Sequence, residues 1–167
     1  GGKAGYFLPS SLALDWIGIE ADLYYSTPHL KHQNYTVDGA GIGQGVLLRM
    51  TTLATRVVIR SPTPKPEDLL KPNVGLWERS QPYIGLGPAI FLTSASTGSG
   101  SANDTSVGVS LQLGWRLFLT GQTALFAEYK LDNGGLAFTN VFGANTKLQG
   151  DYTANNLVFG VSYHFNQ

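Results

Sequence analysis

This sequence predicts an all-β fold, an antiparallel up-and-down transmembrane β-barrel of eight strands. Three observations predict it. Apolar side chains recur at every second position over long stretches, the period of a strand with two unlike faces. The opposite face is rich in Gly, Ser and aromatics with single charges of both signs, whereas a solvent face carries many Lys and Glu. No run of about 18 apolar residues is present, which excludes a membrane-spanning helix. An oily exterior around small residues and paired charges is the inside-out arrangement of a barrel in lipid.

The strands follow in order. GGKAGYFL opens with Ala4, Tyr6 and Leu8 opposite Lys3, Gly5 and Phe7. In DWIGIEADLYYST, residues 15–27, Ile17, Ile19, Ala21, Leu23 and Tyr25 oppose Gly18, Glu20, Asp22 and Tyr24. In TTLATRVVIRS, residues 51–61, Leu53, Thr55, Val57 and Ile59 oppose Ala54, Arg56, Val58 and Arg60. QPYIGLGPAIFL, residues 81–92, sets Ile84, Leu86, Ile90 and Leu92 against Tyr83, Gly85, Gly87, Ala89 and Phe91. SVGVSLQLGWRLFL, residues 106–119, is the clearest: every odd position from Val107 to Leu119 is apolar, and Gly108, Ser110, Gln112, Gly114, Arg116 and Phe118 lie between. TALFAEYKL, residues 123–131, and NNLVFGVSYHF, residues 155–165, complete the set. Strand cores of about 9–14 residues suit a tilted crossing of a bilayer. Tyr25, Trp115, Tyr129, Tyr163 and Phe165 fall near the ends of the outward stripes, where interfacial girdles belong.

Connection lengths orient the strands, because such barrels have short periplasmic turns and long external loops. LTGQT, 119–123, is tight. Residues 93–105 read as a Gly/Ser-rich external loop, 132–154 as a long external loop able to carry a strand extension, and 28–46 as another. Residues 62–80, PTPKPEDLLKPNVGLWERS, break the rule. They read as an elongated, proline-stiffened periplasmic turn, with one helical turn at PEDLL. Seven strands are countable, while single-chain bacterial barrels have an even number. GGKAGYFL is then the second strand and the first would precede residue 1; the alternative is that 37–48 supply the extra strand.

Composition narrows the partners. The chain has 167 residues and reads as a single domain. Charged residues make up 13%, about half the usual share. Formal net charge is zero, so nothing calls for nucleic acid. The absence of cysteine excludes disulfides and thiolate metal sites. The start, GGKAGYFLPSS, shows no signal peptide, so the chain as given is mature, trimmed or never exported.

The best-defined internal feature is a ladder of charges on the inward face: Glu20, Asp22, Arg56, Arg60, Arg116, Glu128 and Lys130, with Lys3 on the same face. An interior just wide enough for side chains is plugged by such pairs. Because a buried unpaired charge is costly, each inward carboxylate is expected to have a cationic neighbour. No catalytic constellation emerges. His164 reads as a structural group in the lumen, and His29 and His32 in PHLKH lack the Cys or spaced carboxylates of a metal site. Gly85-Leu-Gly87 lacks the third glycine and the helix of a phosphate cradle, and is expected to make room for Arg116 or Phe118. Ser94, Ser96 and Asp132 are enzyme candidates by location alone. No cofactor and no metal are expected.

The closing Gly160-Val-Ser-Tyr163-His-Phe165 resembles the C-terminal assembly signal of the small outer-membrane β-barrel proteins of Gram-negative bacteria, the OmpA/OmpX-like superfamily. QPYIGLGPAIF is similar to that family's fifth-strand motif and ALFAEYKL to its seventh strand. The resemblance covers most of residues 50–165. Phe165 is followed by Asn166 and Gln167, and position 158 is Val where the signal favours a polar residue. The resemblance implies the cell outer membrane, its lipid and lipopolysaccharide, and the barrel-assembly machinery as surroundings. The leading expectation is a non-enzymatic closed barrel acting structurally or through its loops. The alternatives are an accessory subunit docked on an envelope protein through 62–80 or 132–154, a lipid-modifying enzyme, and a soluble lipocalin-like binding module.

Overall fold

The computed structural model describes residues 1–9, 14–27, 35–37, 40–42, 47–69, 73, 75–97, 100–139 and 147–165. In chain order the elements are β1 (Gly2–Phe7), β2 (Ile17–Ser26), β3 (Tyr35–Val37), β4 (Ala40–Ile42), β5 (Leu47–Arg60), α1 (Pro66–Leu69), β6 (Ser80–Thr97), β7 (Gly100–Phe118), β8 (Thr123–Thr139) and β9 (Lys147–Tyr163). A seven-stranded antiparallel sheet has the order β1-β2-β5-β6-β7-β8-β9, each strand beside its neighbour in sequence apart from the small β3–β4 hairpin.

Alternation in sequence becomes alternation in burial. Along β5, Met50, Thr52, Ala54, Arg56, Val58 and Arg60 are buried, while Leu53, Val57 and Ile59 face out. The outward row of β7 is apolar from Val107 to Leu117 and polar before it, at Thr105, Asn103 and Ser101. The same change occurs at Leu92/Ser94, Leu131/Asn133 and Leu157/Asn155. In β7 the apolar part is about ten steps of about 3.3 Å, which at a tilt of about 40° span about 25 Å, the height of a lipid-facing band.

One end carries a tight turn. Leu119 N–H donates to Thr123 O at 2.9 Å, and Thr120 Oγ1 accepts from the N–H groups of Gln122 (3.2 Å) and Thr123 (3.0 Å). At the other end the strands run on as long hairpins. Within 93–105, expected as a loop, residues 93–97 and 100–105 are instead strand: β6 continues to Thr97 and β7 starts at Gly100, paired without a slip from Leu92↔Thr105 to Thr97↔Gly100. Ser, Thr and Asn there read as loop by composition, but pairing of β6 with β7 holds them extended. The link 132–154 does carry strand extensions, to Thr139 and from Lys147. The alternative that 37–48 form the extra barrel strand does not hold. Residues 40–42 belong to the separate β3–β4 hairpin, and the chain from Leu47 is part of β5.

Among the described residues no strand lies between β1 and β9, the two ends of the sheet order. Both run from the long-hairpin end to the tight-turn end, so an up-and-down closure takes one further strand antiparallel to both. A cavity of about 1090 Å³ follows this seam, lined by Lys3 and Glu20 of β1 and β2 and by Glu128, Asn156, Gly160 and Ser162 of β8 and β9.

Glycine positions show how tightly the interior fits. A Cβ on Gly114 would overlap the Tyr83 ring, and one on Gly108 or Gly134 would press on Phe91. The large lumen side chain beside Gly85 is Arg56, and neither Arg116 nor Phe118 is among the nearest neighbours of Gly85 or Gly87. Both glycines lie against β5, Gly85 beside Val58 and Arg56 and Gly87 beside the Thr55–Arg56 backbone.

Candidate functional site in the barrel interior

Period-two spacing sends Glu20, Asp22 and Tyr24 of β2, Arg56 and Arg60 of β5, Ser110, Gln112 and Arg116 of β7, and Glu128, Lys130 and Asp132 of β8 into one interior. Lys3 of β1 joins them, its side chain 13% exposed. All seven ladder residues named from the sequence are therefore buried on the inward face.

Their contacts form one network, with Arg60 set to one side, its Nε donating to Asp15 O at 3.0 Å. Glu20 pairs with Arg116, accepts from Gln112 Nε2 at 3.2 Å and lies 3.8 Å from Lys3 Nζ. Asp22 takes Arg56 Nη1 at 2.9 Å and Lys130. Glu128 takes Lys3, the Tyr83 hydroxyl and Gln112 Nε2 (3.2 Å), with Lys130 Nζ 3.5 Å away. Gln112 Oε1 accepts from Arg56 Nη1 at 2.9 Å, so this one amide touches Glu20, Arg56 and Glu128. Each ladder carboxylate thus has a cationic neighbour. Buried ion pairs hold best where the remaining donors and acceptors are also satisfied; Gln112, Tyr83 and Ser110 supply such hydrogen bonds here, although Arg116 Nε and Glu128 Oε2 are left without one.

Asp132 is the exception and was not read as part of the ladder. It is fully buried and accepts from the Tyr24 hydroxyl, Ser110 Oγ and Asn156 Nδ2 (3.2 Å). The signal was present, since Glu128, Lys130 and Asp132 are consecutive positions of one strand face. Asp132 also parts company with Ser94 and Ser96, which lie on the outer face, Ser94 Oγ donating to Asn103 Oδ1 at 2.7 Å. The three location-based candidates therefore share no site.

Aromatic faces cover the cations. Arg60 lies 3.6 Å from the Phe7 ring centre, Arg116 4.2 Å from Tyr83, Lys3 4.4 Å from Phe126 and Lys130 4.4 Å from Tyr24. Such stacking is favourable for desolvated cations.

The ionic layer is capped at both ends. Towards the long hairpins, Met50, Ala54, Ala89, Phe91 and Tyr152 form an apolar cluster, with Phe91 and Tyr152 edge-to-face at 6.0 Å. Towards the tight turn, Phe118 and Ala124 pack with Leu69, the last residue of α1. The link after β5 therefore folds back under the lumen and is not wholly a solvated loop. Gln81 Nε2 holds its start at Ser61 O and Thr63 Oγ1, both at 3.0 Å, and Arg79 Nη2 holds Leu69 O at 3.0 Å. His164, just beyond β9, stacks on Phe118 at 5.0 Å and meets Ser162 Oγ at 3.3 Å. Burial, aided by the charges of Arg116 and Arg60, pushes its pKa down to about 4.

Gly160 faces inward beneath the Phe126 ring, while Tyr163 and Phe165 face outward, edge-to-face at 5.1 Å. His29, His32, Asn166 and Gln167 lie outside the described residues. Among the described residues no cluster of three or more His, Cys, Asp or Glu is arranged to hold a metal.

Outward apolar rows about 25 Å tall around an ionic interior define a β-barrel of the outer membrane. Residues 1–165 match the outer membrane protein beta-barrel domain, and the chain belongs to that family. Comparison with curated proteins and with solved structures finds no match. Membership in this family sets aside the soluble lipocalin-like reading and places the protein in the outer membrane, with a Gram-negative envelope implied.

Proposed function

We propose that this protein is a plugged, non-conducting and non-enzymatic outer-membrane barrel, acting structurally or through contacts made by its long hairpins. The capped, ion-paired interior carries this reading. The ionic layer lies between two apolar caps, one built on Phe91 and Tyr152 and the other on Phe118 and Leu69. An ion crossing this lumen would have to pass both apolar caps and break the ion pairs between them.

The long-hairpin end faces outward from the cell and the tight-turn end faces the periplasm, following the loop-length rule. The polar outward residues of the hairpins, Ser94, Ser96, Asn103, Asp151 and Thr153 among them, stand beyond the apolar band where lipopolysaccharide headgroups or another envelope protein would meet them. Gly160, Tyr163 and Phe165 form the segment offered to the barrel-assembly machinery. The separation of Ser94 and Ser96 from Asp132 supports a role without catalysis.

Planar-bilayer recording on the refolded protein tests the proposal. Current at the protein-free baseline is expected. Stable conductance steps that scale with added protein would overturn it.

A further inference from the structure

The link between β5 and β6 has a second apolar feature that the plugged lumen does not use. Leu76 and Trp77 are 71% and 76% exposed, although they sit in a well-fastened turn. Gly75 N–H donates to Glu78 Oε2 at 3.1 Å, Ser80 N–H to Trp77 O at 3.1 Å, and Ser80 Oγ–H to Leu76 O at 2.6 Å. Phe118 N–H fastens the next residue through Arg79 O at 2.8 Å. A rigid pair of large apolar side chains held in the open needs an apolar neighbour.

The position of the pair identifies that neighbour. The Trp77 ring packs on the Trp115 ring at 5.1 Å, tilted by 58°, and Trp115 belongs to the outward apolar row of β7, near its lower limit. Trp115 Nε1–H donates to Ser80 Oγ at 3.0 Å, tying the turn to the band itself. The other side of the barrel shows aromatics at the same level: Trp16 in the β1–β2 connection, and Tyr163 and Phe165 at the end of β9, all exposed. All three tryptophans of the chain therefore lie at the tight-turn end. Indole, with a large apolar body and one N–H, favours the boundary between acyl chains and headgroups.

We infer that residues 75–79 form a membrane foot, in which Leu76 and Trp77 insert into the headgroup–acyl boundary of the phospholipid leaflet at the tight-turn end and continue the lipid band below β7. The link 61–79 then has two anchors, Leu69 under the lumen and Trp77 in lipid, joined through the Arg79 hydrogen bond to Leu69 O. This inference rests on the outer-membrane placement of the barrel and is independent of whether the lumen conducts.

The test uses the full chain carrying Trp16→Phe and Trp115→Phe, so that Trp77 is the sole fluorophore, refolded into phosphatidylcholine vesicles. Quenching is compared for lipids brominated near the headgroup, for lipids brominated near the chain end, and for aqueous iodide. The expected result is several-fold stronger quenching by the shallow bromines than by the deep ones, with iodide several-fold weaker than on free tryptophan. Iodide quenching as strong as on free tryptophan, without bromolipid quenching, would overturn the foot and leave the pair to water or a soluble protein partner. If the double variant does not refold, the native chain is compared with Trp77→Phe alone. A fall in shallow-bromine quenching on losing Trp77 supports the inference, and an unchanged value overturns it.

Discussion

Glu128→Ala probes the ionic layer where it is most connected. The native carboxylate is buried and contacts Lys3, Tyr83, Gln112 and Lys130. Removing one partner of a buried pair costs about 3–5 kcal/mol, because a charge is left without its counter-ion. Here the loss is tempered: Lys3 keeps Glu20 at 3.8 Å and Lys130 keeps Asp22. Tyr83 Oη loses its carboxylate acceptor, and the surrounding layer becomes more positive. The expectation is therefore the lower end, about 3 kcal/mol. In urea unfolding from lipid vesicles with an m-value of about 2 kcal/mol/M, that lowers the midpoint by about 1.5 M. Glu128→Gln preserves shape and an acceptor and should cost about half as much. Combining Glu128→Ala with Lys3→Met should give a coupling energy of about 1–3 kcal/mol. A midpoint for Glu128→Ala within error of the parent would refute the reasoning, showing that these groups are solvated rather than mutually dependent.

Three further outcomes follow from the packing. Gly114→Ala places a methyl group in the Tyr83 ring and should destabilise by about 1–3 kcal/mol, measured by the same urea titration. Leu69→Ala empties the cap beneath Phe118 and should cost about 2 kcal/mol while far-UV circular dichroism stays unchanged, since α1 contributes no ladder bonds. His164 has a pKa of about 4 against an ordinary 6.5. The unfolded chain takes up this proton first, so stability is full above about 6.5, falls as pH drops towards 4, and levels off below. Urea midpoints across that window should slope in the native protein and flatten in His164→Phe.

How far the sequence could be read depended on whether a feature is local. Strand faces were legible because period two is a property of consecutive residues: Val107 to Leu117 and Ala54 to Arg60 needed nothing else. The extensions at 93–97 and 100–105 were not, because Ser, Asn and Gly have weak strand preference and only pairing with the neighbouring strand fixes them. Asp132 was legible and missed, lying two positions beyond Lys130 on the same face. The lower cap was hidden, since Leu69 and Phe118 are far apart in sequence and meet only when the link turns under the barrel. Glycine contacts were misassigned for the same reason, because register across strands, not spacing along one, decides which side chain each glycine faces.

The regular exchange of oily and polar residues also shapes the journey this polypeptide must make before it folds. Its mean hydropathy over the whole chain is −0.02, and charged or polar residues interrupt every apolar row, so the unfolded chain offers no continuous greasy segment to lodge in the first bilayer it meets. Sorting by side happens only as the strands zip together, which delays the lipid-loving character until the destination is reached.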